Sequence, residues 1–218
     1  MLNILFNTTL FFLISIFFYL SISGYGKILI KRTNNFFELT FFGLLIKTII
    51  GYIIYVTIGT NELINILLII IGLVLYFFYK KKIIKINLIY LILLFLLSFS
   101  VLLISKTHED FNYYHYFSIH EIFNNNLRIG ISNLNERFFH SSLLAYEQSL
   151  LVMPYFNLKL VHLSAYFIFI SSVGYFLNTS LSKKNKYDEL FFSIICLIIL
   201  LIKFNRLSEF GYDYISQF

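Results

Sequence analysis

Residues 36–58 read FFELTFFGLLIKTIIGYIIYVTI, 23 residues with only two charges, Glu38 and Lys47. About 20 predominantly apolar residues cross a hydrocarbon core of roughly 30 Å, so this stretch reads as a membrane-spanning helix. Lys47 lies 11 residues from each end, near mid-bilayer, where a lysine costs about 2.5–3.5 kcal/mol on the insertion scale. Gly43, Lys47, Gly51, Tyr55 and Gly59 recur every four residues, a small-residue stripe that should face another helix. Glu38 is nine residues from Lys47 and falls on the opposite side of the helix, so the two cannot pair within it. No other apolar stretch offers an acid at that depth. The lysine either snorkels to backbone carbonyls or meets water, a bound ligand or a group from another chain.

Five further apolar stretches flank this one: Leu2–Ser23, Leu63–Tyr79, Leu88–Ile104, Asn157–Leu177 and Leu190–Phe204. The last has 15 residues, about 22 Å as a helix, and spans only by recruiting Tyr187 and Asp188 or by thinning the bilayer. The reading is an all-α, polytopic transmembrane bundle of about six spans, one membrane domain over residues 1–218. Composition agrees. Of the 218 residues, 59% are hydrophobic and 13% charged, against about 25% charged in soluble domains. Mean hydropathy is +0.80. A single cysteine, Cys196, excludes a disulfide framework and thiolate zinc sites. The Phe, Tyr, Ile, Asn and Lys bias looks like AT-rich coding, so aromatic richness alone argues little.

The net charge of +6 has a topological source. Ten basic residues fall in three alternate loops: Lys27, Lys31 and Arg32; Lys80, Lys81, Lys82 and Lys85; Lys183, Lys184 and Lys186. Such loops mark the cytoplasmic face. Nucleic acid drops out as a partner and the lipid bilayer replaces it. The N-terminus and the long hydrophilic stretch 105–156 then lie outside the cytoplasm. The first apolar run is longer than a signal-peptide core, so it is not read as cleavable.

The 105–156 loop holds Glu109, Asp110, Glu121, Glu136 and Glu147, with His108, His115, His120 and His140. Two short helices are expected in it, one over 111–123 and one from about Ser142 to Val152. Both are too short to span and read as lying in the membrane surface. Asp110 is either the N-cap of the first or a general base or metal ligand above the span end. His115 and His120 are about 140° apart on a helix, so they cannot easily share a metal; each is a hydrogen-bonded filler or has a direct role. Arg128 and Arg137 either clamp a phosphate or pair with Glu121 and Glu136.

HEDFNYYH (108–115), IGISNLNERF (129–138), HSS (140–142) and RLSEFGYD (206–213) together resemble a group of multi-pass bacterial membrane proteins whose architecture is similar to the GT-C glycosyltransferases. The resemblance covers roughly 105–154 and 203–213. It implies a bacterial inner-membrane protein of cell-envelope glycan synthesis, taking a sugar from a polyprenyl-phosphate donor on the extracytoplasmic face. Asp110, or else Glu109, is then the carboxylate that accepts the acceptor's proton or helps hold a divalent cation. His115 orients the acceptor, and Arg128, Arg137, His120 and Lys47 are the substrate-binding candidates. The acidic loop of well-known members follows the first span rather than the fourth, and they commonly have more spans. A chain truncated at its C-terminus is therefore expected. The alternatives are a non-catalytic membrane protein, such as a transporter part or an assembly subunit working with a membrane partner, or an inactive fragment.

The topology has a direct check in a Cys196→Ser background. A cysteine at Asn125 reacts with an impermeant maleimide added outside intact cells, whereas one at Lys184 stays unlabelled until the membrane is opened. The reverse pattern would invert the orientation.

Overall fold

The structure, a computed structural model, describes residues 2–30, 35–79, 88–104, 106–107, 110–130, 133, 136, 142–156, 158–182, 186–211, 215 and 218. In chain order the helices are α1 (Leu2–Leu29), α2 (Phe36–Thr57), α3 (Glu62–Tyr79), α4 (Leu88–Leu102), the short α5 (Tyr116–Asn124) and α6 (Leu143–Ser149), then α7 (Leu163–Ser180) and α8 (Tyr187–Ile202). Among the described residues the only strands are β1 (Lys106–Thr107) and β2 (Glu209–Phe210), which pair in parallel. The segments Asn7–Leu29, Phe36–Thr57, Glu62–Tyr79 and Leu158–Ser180 are long and apolar enough to cross a membrane. α4 and α8, at 15 and 16 residues, are shorter, so four of the six expected spans reach full length. α8 does extend back over Tyr187 and Asp188.

Local chemistry sets the helix starts. The Asn35 side chain accepts the Phe37 N–H at 3.1 Å, and that of Asn61 accepts the Ile64 N–H at 2.9 Å. Each satisfies an orphan donor of a first turn. Glu38 and Glu62 add negative charge in those turns, where the helix dipole favours it. α3 buries Asn65, Leu68 and Gly72, a stripe at helical spacing, and turns Leu67, Ile70, Val74 and Phe78 outward. A helix apolar on its outer side fits a bilayer rather than water.

α1 lies between α2 and α3 at backbone contact. A Cβ on Gly43 would stand 1.9 Å from the Ile22 carbonyl oxygen, and one on Gly24 would stand 2.1 Å from that of Gly72. Hydroxyls reinforce the approach: Tyr25 donates to the Leu68 carbonyl at 2.6 Å and Ser21 to that of Ile69 at 3.0 Å. Lipid gives helices little hydrophobic reason to associate, so close packing and such bonds hold them. Tyr19 centres an aromatic core, its ring 5.6, 5.1 and 5.5 Å from those of Phe36, Phe95 and Phe167. Its hydroxyl meets Ser171 at 3.1 Å and accepts from Thr40 at 3.2 Å, joining α1, α2 and α7.

The long helices alternate in direction. Tyr155 donates to Asn7 at the start of α1 at 2.8 Å, and Thr60, past the end of α2, donates to the Ile122 carbonyl at 2.5 Å. α4 runs into β1 and α8 leads to β2. The starts of α1, α3 and α7 and the ends of α2, α4 and α8 therefore gather at one end, under a cap formed by the described residues of the 105–156 loop and of the segment after α8.

Gly43→Ala should cost about 1–3 kcal/mol, because backbone stands where the methyl would go. Ile49→Ala, on the exposed face of α2, should change stability by about 0.5 kcal/mol or less. Thermal unfolding of purified protein in one detergent compares the two.

Candidate functional site

The second loop helix does not lie on a surface. Its start is the expected one, with Ser142 accepting the Leu144 N–H at 3.3 Å, but all five residues Ala145–Ser149 are buried. Tyr146 packs on Tyr52 and Tyr55 at 5.2 and 5.5 Å. Leu150 fills the notch at Gly51, where a Cβ would come within 2.7 Å of its side chain. Asn65 of α3 donates to the Ser149 and Val152 carbonyls, each at 2.9 Å. α6 is a wedge driven into the bundle against α2, α3 and α7. The surface expectation failed because amphipathic spacing identifies a polar side without saying whether water or another polar group meets it.

Here the other polar group is Lys47. Its Nζ lies 3.9 Å from Glu147 Oε1, with both side chains at most 2% exposed. The expectation that no acid reaches Lys47 is thereby corrected: the acid comes from the loop, not from another span. The sequence held a signal for it, since Glu147 is the only formal charge between His140 and Lys159. Lys47 also stands over the Phe18 ring, 5.2 Å from its centroid, a cation–π arrangement. The small-residue stripe of α2 does face other elements, Gly43 meeting α1 while Lys47, Gly51 and Tyr55 meet the α6 wedge.

The pair is close without being hydrogen-bonded. Direct charge-assisted N–H···O bonds run about 2.7–2.9 Å; Lys47 Nζ makes none, and the neighbour that favours the Glu147 carboxylate besides Lys47 is the Ser164 hydroxyl. Burial pushes the Glu147 carboxyl above the ordinary carboxylate range, while the Lys47 charge pulls it down. The neighbouring Gln148 spends its amide donor on Ser164 at 3.0 Å and on the Gly211 carbonyl at 3.2 Å. Its oxygen is buried and unspent. Such unspent capacity suits a bridging water or a small polar guest. Chemically, the centre can lock α6 in place or hold a proton.

Gln148 links this centre to the cap. β1 meets β2 with Lys106 opposite Glu209 and Thr107 opposite Phe210. Phe210 packs on Phe111 and His162 at 5.4 and 4.6 Å. The His162 Nε2–H donates to the Leu207 carbonyl, and the His162 side chain is buried. Arg206 pairs with Glu209 at 2.7 Å.

The first loop helix forms as expected, opening with a π turn over Phe111–His115 and continuing as α5. Asp110 heads it, half-buried, but its side chain makes no capping hydrogen bond. Its own backbone is helical, at φ −73° and ψ −13°, whereas a capping side chain needs an extended residue. His115 is buried with its ring 4.1 Å from that of Tyr114. His120 is exposed beside Tyr116 at 5.7 Å, so the two histidines diverge as their spacing requires. Arg128 pairs with Glu121 at 3.4 Å and donates to Asn125, leaving its side chain 60% exposed. Glu109 and Arg137, with His108 and His140, lie outside the described residues. Among the described residues no three His, Cys, Asp or Glu side chains are grouped to hold a metal ion.

No family model, curated protein or solved structure matches the chain.

Removing one partner of a buried ion pair strands the other charge at about 3–5 kcal/mol. Lys47→Met and Glu147→Gln should each destabilise by that order. Lys47→Met combined with Glu147→Leu should recover most of the loss. A double-mutant cycle read by thermal unfolding measures the coupling, and additive losses would deny it.

Proposed function

We propose that this chain is a membrane-embedded module of a GT-C-like glycosyltransferase, moving a sugar from a lipid-phosphate donor on the extracytoplasmic face of a bacterial inner membrane. In this reading α4 and α8 also span, giving six crossings, and the basic loops lie in the cytoplasm. One observation carries it. The segments around 110–115 and 206–211, nearly a hundred residues apart, are among those whose wording resembles that group, and they meet at the cap through the β1–β2 pair and the Phe111–Phe210 contact.

Asp110 accepts the proton of the acceptor hydroxyl as that oxygen bonds to the sugar's anomeric carbon. The carbon's bond to phosphate breaks, and the electron pair leaves with the phosphate. Arg128, largely exposed beside Glu121, and Arg137 neutralise the departing charge. His115 orients the acceptor, with Glu109 as the alternative carboxylate.

The test is transfer of labelled sugar from a polyprenyl-phosphate donor in membrane vesicles carrying the native protein. Asp110→Asn should lower transfer about a hundredfold or more, the contribution of a positioned base, at unchanged protein level. Ile49→Ala, on the exposed face of α2, should retain it. Full transfer by Asp110→Asn would remove the base from this role.

A second reading rests on the buried Lys47–Glu147 pair, which suits a transporter part or an assembly subunit whose working centre lies within the bundle. It gains if Lys47→Met together with Glu147→Leu abolishes function in cells while folding is kept and Asp110→Asn is silent.

A further inference from the structure

The seat of α6 carries an excess of hydrogen-bond acceptors that neither its packing nor the chemistry at the cap uses. Lys47, Asn65, Glu147, Gln148 and Ser164 are each at most 1% exposed. An ionised Glu147 only accepts, and the side-chain oxygens of Asn65 and Gln148 are buried with no hydrogen-bond partner. The donors nearby are already committed. The Asn65 amide gives to the Ser149 and Val152 carbonyls, and the Gln148 amide to Ser164 and the Gly211 carbonyl. The one hydroxyl proton of Ser164 is divided between the Val161 carbonyl, at 3.2 Å, and the Glu147 carboxylate. Lys47 Nζ stands 3.9 Å from Glu147 and makes no hydrogen bond.

The cluster lacks a donor, and the smallest ligand that supplies one is a proton. A metal ion on Glu147 would instead sit beside the Lys47 ammonium and be repelled by it. Glu147 is the group placed to take the proton, and little around it competes. α1 offers the Phe18 ring, α2 Lys47, α3 the Asn65 amide and α7 the Ser164 hydroxyl. Tyr146 of α6 itself packs on Tyr52 and Tyr55. α5 and the 158–162 turn also touch α6. Of their titratable groups, His120 and Lys159 are exposed, Tyr116 packs beside His120, Glu121 pairs with Arg128, and His162 is bonded to Leu207. Among the described residues Lys47 is the one charge that acts on Glu147. Burial, which pushes the Glu147 carboxyl up, favours its neutral form, and the Phe18 ring face gives the Lys47 ammonium a second attraction.

We propose that Glu147 is a proton-binding site buried in the bundle. A proton from water adds to the carboxylate and forms an O–H bond. The neutral carboxyl then donates to the Gln148 oxygen, since both side chains converge on Ser164, while Lys47 keeps its charge over Phe18. Loss of the proton restores the ion pair. The two states seat α6 differently, one by attraction between charges and the other by a hydrogen bond within the wedge. The site requires neither sugar transfer at the cap nor a transport activity.

Infrared difference spectroscopy of the full chain in lipid nanodiscs, titrated from alkaline to acid pH, tests it. The carbonyl band of a protonated carboxyl should appear with a midpoint about one pH unit or more above the ~4.3 of an exposed glutamate. Glu147→Gln should remove that band, whereas Glu62→Gln, in the first turn of α3, should leave it. Lys47→Met should raise the midpoint by about 1–3 units, because the ammonium favours the charged carboxylate. The seated carboxyl holds its proton more tightly than the unfolded chain does, so the thermal unfolding temperature should rise as pH falls through the midpoint. Glu147→Gln should lose that slope. Absence of the band until exposed carboxyls titrate leaves a bound water as the missing donor and overturns the site. A band surviving in folded Glu147→Gln also overturns it. Should Glu147→Gln fail to fold, an unmoved midpoint in Lys47→Met does the same.

Discussion

An ammonium group halfway along an apolar helix constrains everything packed around it. Lys47 lies about three helical turns from either end of α2, beyond the reach of its side chain, and the bundle answers by bringing Glu147 to it. That requires a loop segment to leave the cap and enter the bundle. The entry depends on Gly51 for clearance, on Asn65 to receive the exposed carbonyls at the end of α6, and on Gln148 to tie the wedge to the segment after α8. A buried ion pair of this kind contributes little net stability, because desolvation offsets attraction. Its effect is on arrangement: one seat for α6 satisfies both charges, and a shifted seat strands them.

The aromatic core follows a related rule. Buried tyrosines bring a hydroxyl that must find a partner, and Tyr19, Tyr25 and Tyr166 each find one on a neighbouring helix. The bias toward Phe and Tyr therefore supplies more than bulk. It gives the interhelical contacts polar pins where lipid provides no hydrophobic drive, and those pins fix the spacing of α1, α2 and α7.

The helices were largely legible in the sequence, since long apolar runs bounded by charge leave few alternatives. α1 runs on to Leu29, past the expected end at Ser23, because Gly24 and Gly26 serve as contact points against α3 and α2 rather than as loop residues. The divergence of His115 and His120 followed from five residues of spacing. The pairing of Arg128 with Glu121 was one of two arrangements the charges allowed. The depth of α6 was not legible, because periodicity describes a face and says nothing of what covers it. Glu147 could have been singled out as a lone charge in an apolar stretch, matching the lone charge of Lys47. Asp110 was located at a helix start, but its conformation there depended on the π turn that follows, which no spacing announces.

The separation of the two buried charges along the chain matters for how the protein is made. Glu147 follows Lys47 by 100 residues, and synthesis at about 5–20 residues per second leaves a gap of about 5–20 s between them. During that interval α1, α2 and α3 can enter the bilayer and associate, but α2 does so with its central charge unanswered. The nascent hairpin must hold Lys47 by backbone carbonyls, water or the insertion machinery until the wedge arrives. The fold thus has an obligatory late step, in which a segment made after five helices reaches back to neutralise a charge buried in the second.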